Sequence, residues 1–296
     1  MGEAFFDCLA RPFPQRNNDS RTEAFSMEAP QLDQLKSAMK SAWMAGDFGE
    51  VAKFTAFEAE NFISRIGIQP GTRVLDVACG TGNTAIPAAR GGADVTGVDI
   101  ATNLLAQAAK RASAENLRAR FQEGDAEQLP FSDGEFDYVV TMYGAMFAPR
   151  PDRVAAELLR VCKPGGTIAM ANWTPEGFVG KTFRAMAEHV PPPPGIPAPI
   201  LWGKEDVVRE RFGGGVSTLR AERRPARFEY PFPPEQVVEF FREYFGPTKT
   251  AFSKLDAEGQ ERLSKVLASL WREHNESPNG ATVVSAEYLE VHAVRA

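Results

Sequence analysis

Between residues 72 and 172, short apolar runs alternate with runs whose apolar residues recur every three or four positions. The short runs are typical of buried strands, and the periodic runs of helices that pack on a sheet. Strands and helices joined by short connections predict right-handed crossovers and a parallel sheet covered on both faces. The predicted strands are residues 72–77, 94–99, 118–122, 136–142 and 167–171, and the predicted helices are residues 84–90, 103–113 and 152–161.

Composition and charge exclude several classes of protein. The chain of 296 residues has a net charge of -6 and a pI near 5.3. Such a balance disfavours a nucleic-acid or anionic-membrane surface, because phosphate groups attract clustered Lys and Arg. No apolar run approaches the roughly 18 residues of a membrane span, and the N-terminus lacks a secretory pattern. Cys8, Cys79 and Cys162 are too widely separated for a disulfide framework or a metal cluster, so we expect a cytoplasmic protein.

A glycine-containing loop joins the first predicted strand to the first predicted helix, within residues 74–85. Gly80 and Gly82 allow a tight turn and bring the backbone close to a ligand, beside the N–H groups that open the helix. The same sequence, Gly80-Thr-Gly-Asn-Thr-Ala85, also fits the dinucleotide pattern G-x-G-x-x-A. The loop therefore indicates a nucleotide-type cofactor, and by itself it does not choose between a nicotinamide dinucleotide and S-adenosylmethionine.

Three carboxylates at the ends of the first three strands distinguish these cofactors. Asp76 precedes the glycines, where it would repel a pyrophosphate but suits the ammonium and sulfonium groups of S-adenosylmethionine. Asp99 ends the second strand, where a carboxylate accepts ribose hydroxyls of either cofactor. Asp125 follows the third strand, where it would accept from an adenine amino group. Each aspartate is also a common turn residue, but their joint placement favours S-adenosylmethionine.

In combination these motifs resemble those of the class I S-adenosylmethionine-dependent methyltransferases, in particular the small-molecule branch that includes ubiquinone and menaquinone methyltransferases. The resemblance covers residues 72–173 and, more weakly, the terminal strand. It implies a Rossmann-like, doubly wound, mostly parallel seven-stranded sheet with an antiparallel last strand at residues 288–294. Ala78 stands where the fullest motif has its first glycine, and we expect alanine to be small enough for the turn. The matching segments are residues 74–82, 95–99, 124–131, 136–137 and 160–166.

The resemblance also implies roles for individual residues. It implies that Asp99 binds the ribose and that Asp125 and Ala126 hold the adenine. Ile100 is expected to pack on the adenine face and Met142 to lie beside the methionine end. The predicted cofactor-binding residues are Asp76, Ala78, Gly80, Thr81, Gly82, Asp99, Ile100, Asp125, Ala126 and Met142.

We predict five segments around this core. A breaker-rich sequence predicts a flexible N-terminal arm over residues 1–30, and residues 31–70 are predicted to form helices that close over the cofactor. Residues 71–173 form the cofactor-binding core. Residues 174–281 are too long for a simple loop, and we predict a helical substrate cap, or lid, that includes strand six. Residues 282–296 alternate as the terminal antiparallel strand.

Methyl transfer from a sulfonium needs alignment of donor and acceptor and exclusion of water, and for some acceptors the removal of a proton. Tyr143 and His189 are the candidate catalytic residues, with an aromatic wall and a solvated helix residue as the respective alternatives. The three histidines are scattered, so we predict no metal site. The predicted acceptor pocket consists of Trp43, Tyr143, Met146, Phe147, Trp173, Phe178, Trp202 and Phe241.

The acceptor itself is expected to be a small metabolite. Residues 142–149 lack the Asn/Asp-Pro-Pro-Tyr/Phe signature of adenine-targeting methyltransferases, which argues against a nucleic-acid partner. The chain has 21 Phe against 5 Tyr and 3 His, so an apolar or aromatic molecule, methylated on O, N, S or C, is expected. Two alternatives stay open: a non-catalytic S-adenosylmethionine-binding module in a larger assembly, and a nicotinamide-dependent oxidoreductase.

Overall fold

The computed structural model describes residues 29–296, which form one seven-stranded sheet flanked by helices. The strands lie in the order β3-β2-β1-β4-β5-β7-β6, and only β7 runs antiparallel to its neighbours. This order confirms the predicted doubly wound, mostly parallel sheet with an antiparallel last strand. The strands are β1 (Arg73–Val77), β2 (Asp94–Asp99), β3 (Ala119–Glu123), β4 (Phe136–Met142), β5 (Cys162–Trp173), β6 (Val216–Tyr230) and β7 (Thr282–Arg295).

The helices of the described residues fall into three groups: before the sheet, between its strands, and around β6. No helix among them is long and apolar enough to cross a membrane. They are α1 (Ala29–Met44), α2 (Phe48–Ala52), α3 (Ala56–Ile66), α4 (Ala85–Arg90), α5 (Thr102–Ala114), α6 (Pro151–Val161), α7 (Phe178–His189), α8 (Glu205–Phe212), α9 (Pro234–Tyr244), α10 (Gly246–Ser253) and α11 (Ala257–Glu273).

The central strand β1 places the functional edge of the sheet. Val74, Leu75 and Val77 are fully buried, as expected for a strand covered on both faces. β1 pairs with β2 on one side and with β4 on the other, so the strand order reverses at this point. In open α/β sheets, ligands bind outside the carboxyl ends of the strands at such a reversal.

The N-terminal helices and β5 differ from their predicted bounds. Helix α1 begins at Ala29, two residues inside the predicted N-terminal arm; the rest of that arm lies outside the described residues. Strand β5 begins at Cys162, five residues before the predicted start at residue 167. Its pairing register with β4 shifts across residues 163–166, so the strand continues through a Pro-Gly-Gly sequence that reads as a turn.

The segment predicted as a cap is divided by β6, which joins the core sheet as its edge strand. Pro225 lies within β6, where an edge position tolerates the missing N–H. Two of the aromatic residues predicted to face the acceptor are instead core. Phe178 is 3% exposed and packs on Trp271 with ring centroids 4.5 Å apart. Trp202 is 1% exposed, and the Arg211 guanidinium stacks on its ring at 4.4 Å.

The burial of Phe178 predicts a large effect on stability. Replacing it with alanine (Phe178→Ala) should lower the free energy of unfolding by about 3–5 kcal/mol, because the lost ring leaves a cavity against Trp271. Phe57, which is 76% exposed, is the matched control, and Phe57→Ala should change stability by less than about 0.5 kcal/mol. Denaturant unfolding measures both variants. Equal losses at the two positions would contradict the assignment of Phe178 to the core.

Candidate active site at the carboxyl edge of the sheet

The loop after β1 is held in a conformation that residues with side chains seldom adopt. Ala78, Gly80 and Gly82 have φ of 56°, 51° and 80°, all in the left-handed region. The two glycines adopt it without steric cost, whereas Ala78 pays a modest one. Gly144, after β4, lies against the same loop, and a Cβ there would come within 2.5 Å of the Ala78 carbonyl oxygen. Alanine is thus accommodated, and Gly144 is a second small residue that this turn requires.

The Asp99 carboxylate connects two loops at this edge. One oxygen accepts a hydrogen bond from the N–H of Gly80 and the other from the N–H of Ala101, each at 2.8 Å. The side chain is 9% exposed, and burial raises its pKa above the usual range. Asp99 therefore lies in the cavity where the ribose is predicted to bind, and its two hydrogen bonds also fix the backbone there.

Asp76 lies underneath the loop. It is fully buried, and one of its oxygens accepts from the Thr84 hydroxyl. The other oxygen has no hydrogen-bond partner among residues 29–296. Burial raises the pKa of this carboxyl to about 7, against an opposing hydrogen bond from Thr84. Because one oxygen of Asp76 has no partner and the pKa of the carboxyl lies near 7, its charge at neutral pH depends on its surroundings.

A third group of carboxylates follows β3 and meets helix α1. Asp125 accepts from the N–H of Glu127 at 2.9 Å. The Lys36 ammonium on α1 lies 2.5 Å from an oxygen of Asp125 and 2.5 Å from an oxygen of Glu127. Lys40, one turn further along α1, pairs with Glu123. Residues far apart in sequence thus meet at the end of β3.

A cavity of about 410 Å³ lies between these loops and α1. Its carboxylates, Asp99, Glu123 and Asp125, come from the β2 and β3 side of β1. Its aromatic wall comes from the β4 side and from the N-terminal helices, so the two kinds of surface occupy different ends. The residues that line the whole cavity are Lys36, Ser37, Met39, Lys40, Trp43, Phe48, Thr55, Ala59, Ala78, Cys79, Gly80, Thr81, Asn83, Thr84, Asp99, Ile100, Leu104, Glu123, Gly124, Asp125, Ala126, Met142, Tyr143, Gly144, Ala145, Phe147, Ala148 and Pro149.

Aromatic rings in edge-to-face contact build the other end of the cavity. Trp43 contacts Phe147, Phe245 and Phe48, with centroids 5.1, 5.5 and 5.9 Å apart. Such arrangements are favoured by the ring quadrupoles. We call Trp43, Phe48, Tyr143 and Phe147, which all line the cavity, the aromatic chamber.

Tyr143 forms a wall of this chamber from an unusual backbone conformation. Its φ is 60°, and its ring stacks on Trp173 with centroids 3.8 Å apart. Within the described part of the chain its hydroxyl is buried and has no hydrogen-bond partner. Burial, followed by the nearby Tyr288, raises the pKa of this hydroxyl well above its ordinary value. At neutral pH the side chain is therefore protonated, which suits a hydrogen-bond donor or an apolar wall rather than a base.

Most of the predicted cofactor-binding residues come together at the cavity. Asp76 and Gly82 are the exceptions, because Asp76 is buried beneath the loop and Gly82, within the loop, faces Ala108 and Phe121. The residues predicted to form the acceptor pocket, by contrast, do not all come together. Trp43, Tyr143 and Phe147 reach the cavity, whereas five others lie outside the wall that residues 29–296 form: Met146, Trp173, Phe178, Trp202 and Phe241.

Each of these five side chains has a packing role instead. Met146 is 1% exposed within the core, and Trp173 is covered by the ring of Tyr143. Phe241 packs against Phe245 and Trp271, both at 5.8 Å. Helical or sheet periodicity places an aromatic residue on an apolar face, and most such faces meet the core. The prediction treated every aromatic residue near the rim as pocket wall, whereas the structure places these five outside the cavity lining.

His189 is also placed away from the cavity. It is the last residue of α7, and its Nδ1 lies 3.0 Å from the carbonyl oxygen of Ala185, one turn earlier on the same helix. This matches the alternative of an ordinary helix residue, and the structure gives no support to a role as base. Among the described residues, no three His, Cys, Asp or Glu side chains form a group able to hold a metal ion.

Helix α1 contributes cavity residues that the sequence predictions missed. Lys36, Met39 and Lys40 line the cavity together with Trp43, which was predicted. Their spacings of three and four place them on one face of a helix. That face combines two cations with two apolar side chains, and this mixed pattern is the signal by which the sequence could have identified it.

Comparisons with known proteins identify relatives of the chain. Residues 74–166 match the family model described as a methyltransferase domain. Rv1403c of Mycobacterium tuberculosis is 40% identical over 239 residues, which cover 79% of this chain and 87% of that protein. The demethylmenaquinone methyltransferase of Renibacterium salmoninarum is 38% identical over 116 residues, 39% of this chain and 47% of that enzyme. The crystal structure of the Bacillus subtilis protein YcgJ superposes with a TM-score of 0.57 at 18% identity, covering 81% of this chain and 98% of that one.

The raised pKa of Asp76 predicts how stability changes with pH. Between its ordinary value of 3.8 and about 7, the folded state keeps a proton that the unfolded state has lost. The free energy of unfolding should therefore fall as pH rises through this window. In Asp76→Asn this contribution should disappear, so that the variant loses less stability over the same range. Denaturant unfolding from pH 4 to 8 measures the slope.

The exposed Asp33 supplies the matched control for this experiment. Asp33→Asn removes a carboxyl without removing a buried proton, so it should keep the wild-type slope. A wild-type slope in Asp76→Asn would mean that this carboxyl is ionised in the folded protein throughout.

Proposed function

This chain belongs to the class I S-adenosylmethionine-dependent methyltransferases, and on that premise we propose that it binds S-adenosylmethionine in the cavity and methylates a small apolar or aromatic molecule. The observation that carries the proposal is a single cavity with a carboxylate-bearing end and an aromatic end. Its volume of about 410 Å³ lies in the range of small-molecule sites. Family membership also argues against the alternative of a nicotinamide-dependent oxidoreductase.

The hydrogen-bond acceptors at the carboxylate end fit this cofactor. Asp99 offers oxygens that still have lone pairs for the ribose hydroxyls, and Ile100 beside it supplies an apolar surface for the adenine. Asp125 and Ala126 lie across the cavity at the end of β3, where the adenine amino group would donate. The loop from Ala78 to Thr81 would hold the methionine end, with the Asp76 carboxyl underneath as a counter-charge for its cations.

S-adenosylmethionine supplies an activated methyl group, so the chain's own task is to align the acceptor and to exclude water. The aromatic chamber would do both, because its edge-to-face rings form a rigid apolar wall opposite the carboxylates. Tyr143 would act there as a neutral wall or hydrogen-bond donor, in keeping with its raised pKa. An acceptor without a strong charge fits this chamber best, since ion desolvation would cost several kcal/mol.

The first test concerns the ribose contact. Asp99→Asn should weaken binding of S-adenosylhomocysteine roughly tenfold to a hundredfold, because hydrogen bonds to a charged group contribute about 1.5–3 kcal/mol. Asp94 starts the same strand, and its carboxyl is exposed and pairs with Arg120. Asp94→Asn is therefore the matched control and should bind like the wild type. Calorimetry measures both, with melting temperatures to verify folding. Unchanged affinity in Asp99→Asn would refute the ribose assignment.

The second test concerns the aromatic chamber. Once a screen of metabolites for methyl incorporation has given an acceptor, Phe147→Ala should raise the acceptor KM roughly tenfold or more, because it removes a large apolar contact. Affinity for S-adenosylhomocysteine should stay within about twofold of the wild type. Phe241→Ala, outside the cavity, should reduce stability and leave the acceptor KM of the folded protein unchanged. The reverse pattern would place the acceptor under the predicted cap instead.

Binding of S-adenosylhomocysteine without turnover on any acceptor would support the alternative of a non-catalytic binding module.

A further inference from the structure

Helix α1 is held differently at its two ends. At its carboxyl end the chain packs backbone to backbone on the junction of α9 and α10. A Cβ on Gly246 would lie 1.9 Å from the Ala42 carbonyl oxygen, and one on Gly46 would lie 2.2 Å from the Tyr244 carbonyl oxygen. Trp43 inserts among aromatic rings at the same end. This end is therefore anchored by close packing.

The amino-terminal part of α1 is held by one buried apolar residue and by charge. Leu32, in this part, is the only buried residue of the described helix. The remaining contacts with the body of the protein include the pairs of Lys36 with Asp125 and Glu127, and of Lys40 with Glu123. All these carboxylates follow or end β3, at the carboxylate end of the cavity, where the adenine is proposed to bind. Ion pairs of partly exposed side chains are individually weak, so they can be broken at modest cost.

Lys36 occupies an atom that the proposed cofactor needs. Its ammonium lies 2.5 Å from Oδ2 of Asp125, while Oδ1 of the same carboxylate accepts from the N–H of Glu127 at 2.9 Å. Both oxygens of Asp125 therefore already have a donor, and the donor on Oδ2 belongs to the helix that covers the cavity. An adenine amino group must take the place of the ammonium or share the oxygen with it.

We propose that Lys36 is an ionic latch: it closes α1 over the cofactor site by occupying Asp125, and S-adenosylmethionine enters when this contact opens. The inference rests on the proposed function. Glu127 makes the latch reversible. Its side chain is fully buried, it is fixed by the N–H and guanidinium of Arg150, and it also lies 2.5 Å from Lys36. When the adenine takes Asp125, the ammonium keeps Glu127 as its partner, and α1 closes again over the bound cofactor.

A latch of this kind reduces the rate of binding, because only the open fraction of the protein is competent. Lys36→Gln removes the cation, so that any contact remaining with Asp125 is a hydrogen bond from a neutral amide. The association rate constant for S-adenosylhomocysteine, followed by stopped-flow tryptophan fluorescence, should rise roughly three- to tenfold. The ligand has no net charge at neutral pH, so long-range steering does not contribute. Lys53→Gln is the matched control, since Lys53 pairs with Glu50 on the surface outside the cavity wall, and it should leave the rate unchanged.

Salt provides a second readout that a merely structural lysine would not give. Raising NaCl to about 0.5 M shortens the screening length to roughly 4 Å and weakens partly exposed pairs. Association should then accelerate in the wild type and in Lys53→Gln, and remain unchanged in Lys36→Gln. Equal rate constants in the wild type and Lys36→Gln at low salt, or a wild-type rate constant that does not rise with salt, would overturn the latch.

Hydrogen exchange of the ligand-free protein separates failure of the latch from failure of the proposed function. Amides of residues 31–40 should exchange severalfold faster in Lys36→Gln than in the wild type or Lys53→Gln. If no variant bound S-adenosylhomocysteine, the proposed function would fall together with the role of the latch in cofactor entry. Binding by every variant with equal exchange of α1 would overturn the latch alone.

Discussion

The carboxylate of Asp99 holds the functional edge of this protein together. It accepts from the N–H of Gly80 in the loop after β1 and from the N–H of Ala101 before α5. These bonds favour the ionised carboxylate, while burial raises its pKa. The cost of burying the group is therefore offset locally, by fixing two loops that would otherwise each need their own support. The left-handed turn at Ala78 and the close approach of Gly144 both depend on that fixed loop.

The sequence predicted this edge well, for a geometric reason. In a parallel sheet the carboxyl ends of neighbouring strands meet at one edge, so residues placed just after successive strands come together even when they are far apart in the chain. Asp99 and Asp125 were found in this way. Asp76 was correctly placed at the end of β1, but burial behind the loop cannot be read from its position, because it depends on the depth of the turn that follows.

The aromatic residues show where such prediction stops. Composition indicated abundant phenylalanine, and periodicity placed many of these residues on apolar faces of helices or strands. Whether a face meets the core or a cavity depends on which elements pack against it. The spacing of aromatic residues along the chain does not contain that information. Phe147 and Phe241 are both partly buried aromatic residues, yet only Phe147 lines the cavity. The lysines of α1 were missed for a related reason: Lys36 and Asp125 are 89 residues apart and share no local pattern.

Helix α1 links the two ends of the cavity, and its anchorage determines how they are coupled. Lys36 and Trp43 are separated by seven residues, or roughly 10 Å along the helix. If the helix pivots as a rigid body about its packed end near Gly46, displacement grows with distance from that pivot. Lys36, ten residues away, then moves about three times as far as Trp43, which is three residues away. The cofactor end can therefore open while the aromatic chamber keeps most of its shape, so that the acceptor wall need not be rebuilt each time the cofactor exchanges.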